Sequence, residues 1–204
     1  MPDLPPHPQI SRSYDVYFYV AGGARLVLRN PNHGIGIDED GITWTSNGQM
    51  RRQAYASFAA VHLQTAALGN ADNVIDQCKI EFIDSPAVTV SNASSSGLPD
   101  KTQTPLYRDF VRDLHARLLA HGAGAIRFTA GMTAWRYKML FGTLIAAGLL
   151  FIVTPIGLVI VTGEWHALIA VAMGASLCWP FTRLMMNNAP RAYTPDRLPD
   201  ELLS

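Results

Sequence analysis

Little in this chain is equipped for covalent chemistry. It has two cysteines in 204 residues, Cys78 in a strand-like segment and Cys178 in an apolar one, too few for a disulfide framework or a metal site. Charge is balanced, with 16 basic against 16 acidic residues, so no global field draws nucleic acid or an acidic partner. There is no nucleophile elbow and no phosphate-binding loop with a lysine, and Gly34-x-Gly36 alone is no fingerprint. The expectation is a non-enzyme with no catalytic, cofactor-binding or metal residue. Residues 1–13, rich in proline and polar side chains and without an apolar core region, read as a disordered lead rather than a signal peptide.

Ionisable side chains are also missing from two long C-terminal stretches, Met139 to Val161 and Ala167 to Met186, the latter free of charge until Arg183. As helices of 23 and 20 residues they reach roughly 34 and 30 Å, the thickness of bilayer hydrocarbon. A soluble chain of this size with one other domain cannot wrap two helices that are apolar all round. A transmembrane hairpin over residues 135–186 is therefore predicted. Trp135, Arg136, Tyr137 and Lys138 at its entry, Trp165 in the loop, and Trp179 and Arg183 near its end are the expected interface anchors. Cations flank the pair and the loop has only Glu164, so the positive-inside rule puts both termini in the cytoplasm. Gly142 with Ala146, and Ala170 with Gly174, set small residues four apart and are the predicted helix-packing faces. Pro155 predicts a kink. The absence of charge in mid-span argues for an anchor rather than a transporter.

From Tyr14 to Ser91 the pattern is that of strands. Asp15 to Val20 and Arg25 to Arg29 alternate, and Asn47-Gly48 predicts a two-residue hairpin joining Ile42–Thr45 to Gln49–Tyr55. Asp38-Glu39-Asp40-Gly41 lacks the spacing of a calcium loop and reads as a solvated turn. Arg51 and Arg52 allow two readings, a contact with anionic lipid or a partner, or charge protecting an edge strand. Residues 58–67 fit strand or helix. Val74 to Asp84 has the period of a half-buried strand, and Val88–Val90 gives a short last one. The sequon Asn92-Ala93-Ser94 is discarded, because a cytoplasmic site never meets the transferase.

Thr104 as N-cap, Pro105 at the first position and Gly122 as stop predict one long amphipathic helix. Leu106, Phe110, Val111, Leu114 and Leu118 form its buried face, Arg108, Asp109, Arg112, Asp113 and Arg117 its solvated ones, and His115 and His121 are read as meeting the helix dipole or solvent. Ala125–Thr129 adds a possible strand. The tail, residues 187–204, carries Pro190, Pro195 and Pro199 with Tyr193, Leu198, Leu202 and Leu203 as apolar points. It reads equally as a segment docked on its own domain or a partner and as a disordered one.

Seven short antiparallel strands closed by one helix, carried by ITWTSNGQMRRQAY, CKIEFID and PLYRDFVRDLHARLL, resemble the pleckstrin-homology-like fold over residues 14–121. With the hairpin, the chain resembles the membrane-anchored proteins of this kind found in bacteria. The resemblance implies an α+β protein: a cytoplasmic antiparallel β-sandwich or barrel over residues 14–130, one C-terminal amphipathic helix, then the membrane hairpin. It also implies an inner-membrane location and a membrane or cytoplasmic protein partner. The basic lipid-binding cluster of the family's first loop is missing from Ala21-Gly22-Gly23-Ala24. That departure favours protein contact, with anionic-lipid sensing as the alternative.

Overall fold

A computed structural model describes residues 12–21, 32–46, 48–67, 74–163 and 165–199. The expected turn at Gly22-Gly23 and the strand Arg25–Arg29 lie outside them. The chain divides into two units, one holding the residues up to Ala130 and those from Ala192 on, the other Gly131–Arg191.

The first unit is α+β, as the sequence predicts. Its strands are β1 (Arg12–Val20), β2 (Asn32–Ile37), β3 (Gly41–Ser46), β4 (Gln49–Ala54), β5 (Phe58–Ala67), β6 (Val74–Phe82) and β7 (Val88–Ser91), followed by helix α1 (Gln103–Ala120) and strand β8 (Arg127–Ala130). A short β9 (Arg191–Ala192) brings the tail back to the sheet, whose order is β4-β3-β2-β1-β7-β6-β5-β8-β9. The run from β4 to β5 is antiparallel, but β8 pairs parallel to β5, Ala60 opposite Arg127 and Leu63 opposite Ala130. The sheet is therefore mixed and not purely antiparallel. The reason is the crossover: the chain leaves β7, runs through α1 and re-enters beside β5 in the same direction, the connection a parallel pair requires.

Local chemistry explains most boundaries. Ser46 pairs with Gln49, and Gly48 has the positive φ, +75°, that a two-residue hairpin turn demands. Residues 58–67 are strand throughout, and Phe58, Val61 and Leu63 bury their side chains on one face. Helix α1 starts one residue before Thr104, so Thr104 is not its cap. Asp100 Oδ1 instead accepts from the Thr102 N–H and hydroxyl at 2.9 and 2.7 Å, and Thr104 Oγ1 accepts from Asn92 Nδ2 at 3.2 Å. Gly122, at φ +80°, ends the helix as predicted.

The core lies between the sheet and the apolar face of α1. Val16, Phe18, Ile35, Ile37, Ile42, Leu63, Ile80, Phe110, Leu114 and Leu118 are fully buried, with Trp44 stacked on Phe82 at 5.9 Å and Tyr14 edge-on to Phe110 at 5.6 Å. Cys78 belongs to this core, as its alternating strand suggests, and burial pushes its thiol pKa up to about 12.

The second unit holds α2 (Ala134–Gly148), a π-helical segment Leu149–Val153, α3 (Thr154–Thr162) and α4 (Ala167–Asn187). Among the described residues one continuous helix, Ala134–Thr162, is long and apolar enough to cross a membrane, with mean hydropathy 2.7 and none of that window buried. The feature around Pro155 is the π segment: Pro155 has no N–H to give, and the Thr154 N–H bonds to Leu149 O, five residues back, as does its hydroxyl at 2.9 Å. The second predicted span folds as α4.

Candidate functional site

The acidic turn between β2 and β3 is held by a network of polar contacts. Asp38 directly follows β2, in the turn to β3, and its side chain is buried, at 2% exposure. There Oδ1 accepts from the N–H groups of Asp40 and Gly41 at 3.0 and 2.7 Å, closing the turn. A Cβ on Gly41 would collide with the Gln53 carbonyl, so only glycine lets β3 and β4 approach here. Arg52 Nη2 lies 3.1 Å from Asp38 Oδ2 and 3.5 Å from Asp40 Oδ2. The Asp38 carbonyl accepts from the Tyr55 hydroxyl at 3.0 Å and Arg117 Nη1 at 3.3 Å. Arg117 Nε is 3.7 Å from Asp113, whose other oxygen accepts from Tyr14 at 2.8 Å.

This clamp corrects two expectations. The turn is not simply solvated, because Asp38 is its buried keystone. Asp113 and Arg117 are not surface ornaments but link α1 to β1 and to the turn. The sequence hides both, because the partners are 14 to 79 positions away from Asp38 along the chain.

Against the clamp lies a cleft of about 330 Å³, lined by Asp40, Tyr55, Phe58, Leu118, His121 and Ile126 among others. The Tyr55 ring stands 4.9 Å from His121 and 5.6 Å from Phe58. His121 Nδ1 donates to Arg117 O at 2.9 Å, the helix-end contact expected of it. Desolvation raises the Tyr55 phenol above its ordinary range, so it stays a hydrogen-bond donor at any physiological pH. Apolar walls with a carboxylate and an imidazole at the rim can hold a small ligand or a side chain. No group of His, Cys, Asp or Glu able to hold a metal occurs among the described residues.

Of the two arginines singled out in the sequence, the structure separates the roles. Arg52 is committed to Asp38, whereas Arg51 is exposed on β4, opposite Trp44. His115, expected at the dipole or in solvent, is 1% exposed: it sits on the inner side of α1, four residues after Val111, where burial lowers its pKa to about 4.

In the second unit, Trp135, Arg136, Tyr137 and Lys138 form the first turn of α2, Trp165 precedes α4, and Trp179 and Arg183 lie in its C-terminal half. All are exposed except the partly covered Tyr137. The packing faces come out unevenly. Gly142 and Ala146 are exposed, and a Cβ on Gly142 would meet nothing within 4 Å, so they are not the contact. Gly174 is: a Cβ there would lie 2.6 Å from the Phe151 Cβ. The π segment presents Phe151 to α4, which no small-residue spacing reveals. Ala170 lies one turn before Gly174 on α4. A glycine the spacing overlooked is Gly131, at φ +87°, where any side chain would strike the carbonyls of Asn188 and Ala189.

No protein-family model and no curated protein matches this sequence.

Proposed function

We propose that this chain is a membrane-anchored, non-enzymatic interaction module. A pleckstrin-homology-like domain is held at the cytoplasmic face of a bacterial inner membrane by a hairpin of α2–α3 and α4. The observation that carries the reading is the helix Ala134–Thr162, whose large apolar side chains are turned outward: Leu150 is 60% and Val161 84% exposed. Water penalises such a surface and lipid does not. Leu168, Ile169 and Met173 on α4 are exposed in the same way, which supports a second span and both termini on one side. The seven-strand antiparallel run with α1 packed on it supports the fold resemblance. The cleft beside Tyr55, with binding character and no paired nucleophile and base, supports a role in binding. Anionic-lipid sensing through Arg51 and Arg52 has less support, because Arg52 is already paired.

Membrane insertion is tested by alkaline extraction of membranes together with protease added to sealed inside-out and right-side-out vesicles. Retention in the pellet, with β1–β8 digested only in inside-out vesicles, is the expected result. Release into the supernatant, or digestion from the outer side, overturns it. Binding to vesicles of anionic lipid by the detergent-purified protein, lost on Arg51→Ala, would move the reading to lipid sensing.

A further inference from the structure

The tail returns to the first unit through the short strand β9 and Tyr193. Tyr193 donates its N–H to Phe128 O at 3.2 Å and places its ring 5.6 Å from Phe128 and 5.7 Å from His115. Its hydroxyl is 2.7 Å from His115 Nε2. The direction of that bond is fixed. His115 Nδ1 is 2.7 Å from the Val111 carbonyl, which can only accept, so Nδ1 carries the proton. The neutral ring therefore offers a bare Nε2, and the Tyr193 hydroxyl must donate to it.

Around this socket the segment is loosely held. Among the described tail residues, Leu198 is the other hydrophobic side chain packed against the core, while Pro190, Arg191, Ala192, Thr194, Asp196 and Arg197 are exposed. Strand β9 is two residues long, whereas β5 and β6 pair over nine positions. Cys78 and Tyr107, both buried in the core, are within electrostatic range of the Tyr193 phenol. The Tyr107 hydroxyl is fully buried and has no hydrogen-bond partner among the described residues. Opening the tail frees His115 Nε2 to bond water in place of Tyr193, so part of the cost of breaking the contact is returned by hydration.

We propose that residues 191–199 are a releasable strap, latched into the α1–β8 socket by Tyr193, which opens as a unit while β1–β8 and α1 stay folded. The strap follows α4 in the chain. The inference does not depend on whether the helices lie in lipid. A two-residue strand beside β8, the Tyr193 bond to Phe128 O and a few side-chain contacts put such a segment at the low end of local stability, below the sheet it covers.

The test uses the full-length protein with Cys178→Ser, so that Cys78 is the one thiol. Amide exchange is followed at Tyr193 and across β5 and β6, and Cys78 is labelled with a small maleimide. The strap predicts that the Tyr193 amide exchanges at least tenfold faster than the β6 amides. It also predicts that Tyr193→Ala accelerates Cys78 labelling at least tenfold with β5–β6 exchange changed less than threefold, and that Tyr193→Phe, which keeps the ring and loses the donor, gives an intermediate acceleration. Equal exchange at Tyr193 and β6 in the wild-type protein would overturn it, as would labelling and sheet exchange that rise together in the variants. Should Tyr193→Ala not fold, wild-type exchange and Tyr193→Phe decide.

Discussion

Helix α1 and the helix Ala134–Thr162 use much the same apolar residues to opposite effect. On α1, Phe110, Leu114 and Leu118 are sealed in the core while Arg108, Asp109 and Arg112 keep the other faces wet. On the second helix no polar face exists after Lys138, and Leu149, Leu150 and Val153 stand exposed. Composition alone does not separate a core helix from one meant for lipid; the presence or absence of a polar stripe does. The same residue types are sealed inside in one region and exposed in the other.

That contrast can be broken from either side. Phe110→Ala leaves a cavity under α1 and is expected to cost about 3–5 kcal/mol of domain stability, read from denaturant unfolding of the detergent-purified protein. Truncation of the exposed Leu150 to alanine is expected to leave that midpoint unmoved. Leu150→Arg should disfavour insertion by roughly 2.5–3.5 kcal/mol, seen as a fall in the membrane-retained fraction. An arginine at Leu119, exposed on α1, is expected to leave that fraction unchanged.

Proton linkage at His115 sharpens the buried side. The folded domain holds this imidazole neutral, with its pKa lowered by desolvation to about 4, while the unfolded chain binds a proton near the ordinary 6.5. Stability is thus fully present above about pH 6.5, declines as pH falls toward 4, and is constant below; the whole span is worth about 3 kcal/mol. His115→Gln should flatten the difference between unfolding midpoints at pH 7 and pH 5. An unchanged slope would show that other groups set it.

The smallest effects separate the two neighbouring arginines. Arg52→Ala leaves the buried Asp38 carboxylate without its cation and is expected to cost about 1–3 kcal/mol. Arg51→Ala, on the open side of the edge strand, should change stability by less than about 0.5 kcal/mol. Thermal unfolding of the two single variants side by side makes the comparison.

What was legible in the sequence is what short-range chemistry dictates. The Asn47-Gly48 turn, the alternation from Val74 to Phe82, the stop at Gly122 and the helical character of both apolar stretches follow from neighbours within a turn or a pleat. What was not legible depends on partners far along the chain. Nothing near residue 127 announces a parallel pairing with Ala60, nor anything near residue 52 the salt bridge to Asp38. His115 reads as polar on a helix end until the sheet closes over it. The packing of Gly174 on Phe151 needed a π turn that small-residue spacing does not encode. The cleft beside Tyr55 is assembled from β2–β3, β5 and the end of α1, so no single stretch could have outlined it.

One consequence of the returning tail concerns biosynthesis. Because β9 and Tyr193 are translated after α4, the ribosome finishes both apolar helices before the last piece of the domain exists. A nascent chain stalled within α4 would carry a domain with its His115 face still uncovered, the state in which a chaperone or a quality-control protease would find it.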